Sequence, residues 1–263
     1  MTAIADAIRD KTGRLDALTL DDMAGGVTQV YDAGKQAQYD DFWDSVQNFG
    51  KRTRYYYGFD NWAGAEYIRP KYKVIPKTAS TYLFNGCTSL KALEKDYFDF
   101  SQIPENYTEY KEGLYALCNN CSSLEIVEDV NFQPIMSYAY FFAGCINLKT
   151  IEVLRVSEKS GFGGSNGGDC FYKCTALENV SFEGVIGKKI SFPYSPLSIE
   201  SLKSVITHLK DYSGTDSEYT CTVMFKTSAF EALEAEGATS PNNNTWAEYI
   251  DDLKWNLTLL ALT

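Results

Sequence analysis

The sequence predicts an α+β chain built on a repeat: a solenoid of about five stacked rungs, preceded by a helical N-terminal segment and closed by a small α/β C-terminal cap. Three observations carry this. A short apolar pattern recurs four times without gaps. Helical apolar stripes with capping residues fill the first fifty residues. After residue 195, helix-like and strand-like stretches alternate. The implied boundaries are 1–50, 51–194 and 195–263.

The N-terminal segment opens with Ile4, Ala5 and Ile8 on one helical stripe, ended by Gly13. Residues 19–22 (TLDD) fit a capping box with Asp in place of Glu, and start a second short helix through Ala24. Residues 27–49 read as helical again, with Val30, Ala33, Ala37, Phe42, Val46 and Phe49 as the buried face.

The repeat comprises residues 84–94 (FNGCTSLKALE), 118–128 (CNNCSSLEIVE), 142–152 (FAGCINLKTIE) and 171–181 (FYKCTALENVS). The pattern is F-x-x-C-x-x-L-x-x-Φ, with Φ aliphatic. Counting from the Cys as zero, position +3 is Leu90, Leu124, Leu148 and Leu177, and position +6 is Leu93, Val127, Ile151 and Val180. Positions −3 and −4 are apolar in every copy. A degenerate fifth copy, residues 59–69 (FDNWAGAEYIR), puts Trp62 in the Cys column and Ile68 at +6. The Cys-to-Cys spacings are 34, 24 and 29 residues, and the shortest is close to one turn of a leucine-rich-repeat solenoid. The longer ones predict insertions at 95–113 and 153–168, emerging as loops. Each rung should carry a short strand at +5 to +8, its apolar columns pointing into a core that stacking closes.

In the cap, Ser198 starts a helix through about Lys210, with Ile199, Leu202, Val205, Ile206 and Leu209 on one stripe. A strand at 219–225 follows. Thr227 caps a short helix closed by Gly237, Thr245 opens another, and 255–259 (WNLTL) makes a final strand.

Composition narrows the function. Net charge is −11 with pI about 4.7, which opposes nucleic-acid binding, where cations must neutralise phosphates. It also opposes anionic membrane surfaces, and no apolar stretch is long enough to insert in a membrane. The one histidine, His208, leaves little for catalytic triads or histidine metal sites. It sits at the edge of the cap helix's buried stripe, with no paired nucleophile. The N-terminus is charged where a signal peptide needs an apolar core.

Several residues could carry chemistry. Cys118 and Cys121 form a CxxC, and Cys170 and Cys174 a CxxxC, so zinc and disulfides are alternatives. Four of the seven cysteines (Cys87, Cys121, Cys145, Cys174) occupy the repeat column, while Cys118 and Cys170 replace apolar residues, which favours core packing. Cys221 lies in the cap strand. Position +7 is Glu94, Glu128 and Glu152. Carboxylates in register on neighbouring strands about 4.8 Å apart repel, so this column either faces a cation or basic partner, or splays into water with relief from Arg69. Position +4 reads Lys91, Glu125, Lys149, Glu178, a ladder alternating in sign. Exposed aromatic rows stack on sugar rings or anchor protein partners. The candidates are Tyr82 and Tyr140 at position −5, Tyr138, and the aromatic insertion with Tyr97, Phe98, Tyr107 and Tyr110. The Gly-rich run at 161–168 misses the GxGxxG spacing and is not a phosphate cradle. No catalytic residue, metal site or cofactor is expected.

The repeat resembles the BspA-type leucine-rich repeats of bacterial surface proteins and some phage proteins, over roughly residues 55–185. The opening residues, IADAIRDKTG followed by LTLDDMAGGV, resemble a module at the N-termini of phage and prophage tail-associated proteins. The resemblance implies a non-enzymatic recognition or structural protein of a tail tip, fibre or baseplate. Such a protein assembles in the host cytoplasm and is carried in the virion. It implies other tail or baseplate proteins as partners through residues 1–50, a host-surface glycan or protein as ligand, and a homo-oligomer such as a trimer. A BspA-like bacterial cell-surface adhesin and a tail-associated glycan-degrading enzyme are the alternatives.

Overall fold

The computed structural model describes residues 61, 64, 66–69, 73–75, 80–103, 114–132, 134–163, 169–215, 221–237 and 239–261. The helices expected within residues 1–50 lie outside them. Nine strands and three helices are described: β1 (Ala92–Leu93), β2 (Asp99–Phe100), β3 (Ile126–Val127), β4 (Asn131–Phe132), β5 (Thr150–Val156), β6 (Asn179–Gly184) and β7 (Ile190–Phe192), then α1 (Ile199–Thr207), β8 (Cys221–Lys226), α2 (Thr227–Ala235), α3 (Trp246–Asp252) and β9 (Trp255–Leu260).

They form three sheets, ordered β1-β3-β5-β6, β2-β4 and β7-β8-β9, and every strand pair is parallel. Each aligned copy supplies one strand of the first sheet, opening at position +5. Register follows the columns: Leu93 lies beside Val127, Val127 beside Ile151, and Ile151 beside Val180. The twenty side chains at −4, −3, 0, +3 and +6 are each no more than 2% exposed. Their burial is the main stabilising term, because apolar area leaves water at every level.

The expectation of a leucine-rich-repeat solenoid of about five rungs, with a helical N-terminal segment and a small α/β cap, is overturned. The described residues form separate parallel sheets with three short helices. No single ladder runs along the chain. Among its described residues the degenerate copy contributes no strand, but an isolated bridge from Tyr67 to Ala92 and backbone bonds at Asn61 and Glu66, and β5 and β6 shift register between Ile151 and Leu154. The irregular spacing is the physical cause. The residues between copies build structure of their own, as β2 pairs with β4 instead of looping out. At the C-terminal end, β7 precedes residue 195 yet shares a sheet with β8 and β9.

Aromatic contacts make the core continuous. Ring neighbours run Phe84, Phe98, Phe100, Phe132, Phe141 and Phe142, and on through Phe171, Phe192, Phe225 and Phe230.

Position −1 takes left-handed backbone in all four copies, and position −5 in the first three. At −1 stand Gly86, Asn120, Gly144 and Lys173, with φ of +69°, +59°, +78° and +59°, and Asn61 precedes them at +57°. Large and small residues alternate for a reason. A Cβ on Gly86 would run into the Asn61 side-chain oxygen, and one on Gly144 into that of Asn120.

The helices are capped partly as expected. Ser198 Oγ accepts from the Ser201 amide at 3.3 Å. Thr245 and Glu248 complete a reciprocal capping box on α3. Thr227 is not a cap: it is the first residue of α2, whose N-cap is Lys226, with no side-chain capping bond.

Candidate functional site

The cysteine column is both core and donor. Cys121 Sγ donates to the Phe84 carbonyl at 2.9 Å, Cys145 Sγ to Cys118 at 3.0 Å, and Cys174 Sγ to Phe142 at 3.2 Å. Each thiol thus adds a second donor to the carbonyl at −3 of the preceding copy, which already accepts the backbone amide three residues on (Cys87 to Phe84, Cys121 to Cys118, Cys145 to Phe142). Beyond the last copy, Ser195 Oγ donates to a different carbonyl, that of Cys174 at position 0, at 3.1 Å. All seven cysteines are free thiols. Burial pushes Cys118, Cys170 and Cys174 well above the ordinary thiol range, and raises Cys121 and Cys145. Metal binding and nucleophilic attack both need the thiolate, so these sulfurs are held in the other form. Among the described residues no cluster of three or more His, Cys, Asp or Glu could hold a metal ion.

The glutamate column engages the preceding copy. Glu94 receives both arms of Arg69, each at 3.0 Å. Glu128 accepts from the Lys95 amide at 3.2 Å, and Glu152 from the Asp129 amide at 2.8 Å. A strand two residues long leaves the next amides without ladder partners, and the +7 carboxylate supplies one. This resolves the expected repulsion without a cation. The +4 ladder closes in the same way. Lys91 Nζ meets Glu66 at 2.9 Å and Lys149 Nζ meets Glu125 at 2.8 Å. The Lys149 ammonium holds the Glu125 carboxyl below its ordinary range.

Beside these lies an aromatic row whose two ends reach the surface, while Tyr115 at its centre is buried at 9% exposure. Tyr82, Tyr115 and Tyr140 form a row, with ring centroids 5.5 and 5.7 Å apart and edge-to-face angles of 74° and 64°. Tyr82 and Tyr140 are half-buried beside Ala116 and Ala139. Their shared position −5 is the second left-handed site, with φ of +58° at Tyr82, +51° at Ala116 and +57° at Tyr140. Sequence reasoning missed Tyr115, which sits at −6. The signal was present in Ala116, whose small side chain in the tyrosine column leaves room for the neighbouring ring. Tyr172, exposed, packs edge-on to Tyr194 at 5.3 Å, with Lys173 over its ring.

Of the other expected contact residues, Tyr97 is half-buried near the Arg69 and Glu94 pair. Phe98 and Tyr138 are corrections. Phe98 is 1% exposed, between Phe84 and Phe100 in the aromatic core. Tyr138 is fully buried, its hydroxyl donating to the Arg155 carbonyl at 2.6 Å. Burial removes both from any contact surface. Tyr107 and Tyr110 lie outside the described residues. His208 is the C-cap of α1, with Nδ1 2.7 Å from the Ser204 carbonyl. Among the described residues no helix is long and apolar enough to cross a membrane.

No protein-family model matches the chain, and no curated protein or solved structure matches it.

Proposed function

We propose that this chain is a non-enzymatic binding component of a phage or prophage tail, and that it meets its partner along the tyrosine row. The observation that carries the binding reading is the row of Tyr82, Tyr115 and Tyr140. Tyr82 and Tyr140, half-buried and braced by the buried Tyr115 between them, lose little conformational entropy on contact, and offer an apolar edge with a polar tip to a sugar ring or a protein anchor. The carboxylates that a glycan-cleaving reading would call on, Glu94, Glu128 and Glu152, are instead engaged by Arg69 and by two backbone amides. The tail setting is supported by the likeness of the first 26 residues to tail-associated modules.

The test is a glycan array and host-cell binding assay with the full chain and with Tyr82→Ala/Tyr140→Ala. The double variant is expected to bind about 10- to 100-fold more weakly, with thermal unfolding showing that it still folds. Binding unchanged in the variant would move the contact away from the row. Mass spectrometry of purified tail particles tests the setting, and absence of the chain from them would remove it.

A further inference from the structure

A second surface stands apart from the tyrosine row and does not depend on it. A cavity of about 400 Å³ is lined by Lys159, Lys188 and Lys189, in a chain of net charge −11. Two turns bring the lysines together. In the first, Ser160 N donates to the Ser157 carbonyl at 2.9 Å, and Ser157 N to Ser160 Oγ at 3.0 Å, which fixes the tight turn carrying Glu158 and Lys159. The second carries Lys188 and Lys189 and is pinned at Ile186 by bonds to His208 and Lys210. The two turns touch through Gly187, where a Cβ would run into the Glu158 carbonyl oxygen. Tyr212 Oη donates to the Gly187 carbonyl at 2.7 Å and holds it there. A glycine in the second turn is therefore what sets its lysines beside Lys159.

The local charge is not cancelled. Glu158, the acid nearest to Lys159 and Lys188, is bonded by Lys210 Nζ at 2.7 Å, and that bond holds its carboxyl below the ordinary range. Asp169 is the one carboxylate lining the cavity. Four ammonium groups thus meet two carboxylates. Among the described residues, no ion pair within 4 Å engages Lys159, Lys188 or Lys189. Half-buried Met136 adds an apolar wall, backed by Phe162, which is 2% exposed and stacked on Tyr138 at 5.5 Å.

We propose that this cavity binds an anionic saccharide. The lysines take its carboxylate or phosphate, Asp169 accepts from a sugar hydroxyl, and the apolar wall covers the ring's carbon face. Lysine acts as a mobile point charge and accepts either anion.

The test is calorimetric titration of the full chain at low ionic strength with glucose 6-phosphate and with glucuronate, alongside glucose and inorganic phosphate. Binding of glucose 6-phosphate, of glucuronate or of both supports the site, and the stronger one names the anion. Glucose is expected not to bind, and inorganic phosphate to bind about tenfold or more weakly, lacking the ring. Lys188→Gln/Lys189→Gln, at exposed positions, is expected to lower affinity about tenfold or more. Lys203→Gln, a lysine paired elsewhere, leaves it unchanged. Added salt weakens binding by screening. The proposal is overturned if neither sugar binds the unaltered chain, if inorganic phosphate binds as well as the sugars, or if the lysine variant binds as tightly.

Discussion

At the scale of single residues, the cysteines show how far a pattern can be read. Their column and their burial are legible in the sequence, because four aligned copies place them among apolar positions. Their role as donors is not, because it depends on where the carbonyl of the preceding copy comes to rest. Two outcomes follow. A thiol reagent on the native protein is expected to modify Cys221, the one half-buried cysteine, and to reach the other six only in denaturant. Rapid native labelling of Cys121 or Cys145 would contradict the packing. Cys145→Val fills the space but removes one of the two donors to the Cys118 carbonyl, leaving the Cys121 amide, and is expected to cost about 1 kcal/mol in urea unfolding. Cys145→Ser keeps a donor and should lose less than Cys145→Ala; equal losses would show that the sulfur only fills volume. Phe98 teaches the opposite lesson. A long spacing between copies reads as a loop, but one rich in aromatic rings buries them, and the ring joins the core.

At the scale of elements, the four strands of the first sheet, β8, β9 and the three helices were legible to within a few residues, because apolar columns and capping side chains act locally, whereas β2, β4 and β7 were not. The pairing of β2 with β4 was not, since nothing in either dipeptide announces a partner about thirty residues away. The same scale holds three measurable consequences. Thr245→Ala removes the capping box of α3 and should cost about 1 kcal/mol, read from the shift in the urea midpoint. Gly144→Ala meets both a left-handed backbone and the Asn120 oxygen, and is expected to cost about 1–3 kcal/mol. Adding Asn120→Gly should recover only the steric part. The Glu125–Lys149 pair sets a pH dependence. Because the folded carboxyl titrates below its unfolded value, the pair's contribution is present above the ordinary glutamate pKa of about 4.3. It is lost as pH falls through the lower folded value. Lys149→Gln should return Glu125 to its ordinary titration in side-chain NMR, and an unmoved curve would place the cause elsewhere.

At the scale of the whole molecule, column periodicity specified which residues face inward but not how far any hydrogen-bonded ladder runs. That is why the core was foreseen and the fold class was not. The aromatic chain from Phe84 to Phe230 carries residues of the second and third sheets, and Phe182 of β6 ties the first sheet to it at Phe192. Unfolding followed at Trp255 and by far-ultraviolet circular dichroism is therefore expected to superimpose as one transition. Two separated midpoints would mean that the sheets are energetically independent. Two alternations also run through the copies in step: Asn61, Gly86, Asn120 and Gly144 at −1, and Glu66, Lys91, Glu125, Lys149 and Glu178 at +4. Each returns to its starting state only after two copies. Duplicating or deleting one copy in the gene would set like charge beside like charge and asparagine against asparagine, whereas a change by two copies keeps both alternations intact. A variant with one copy duplicated is therefore expected to unfold at lower urea than one with two copies duplicated, and equal midpoints would show that the alternations carry no energy.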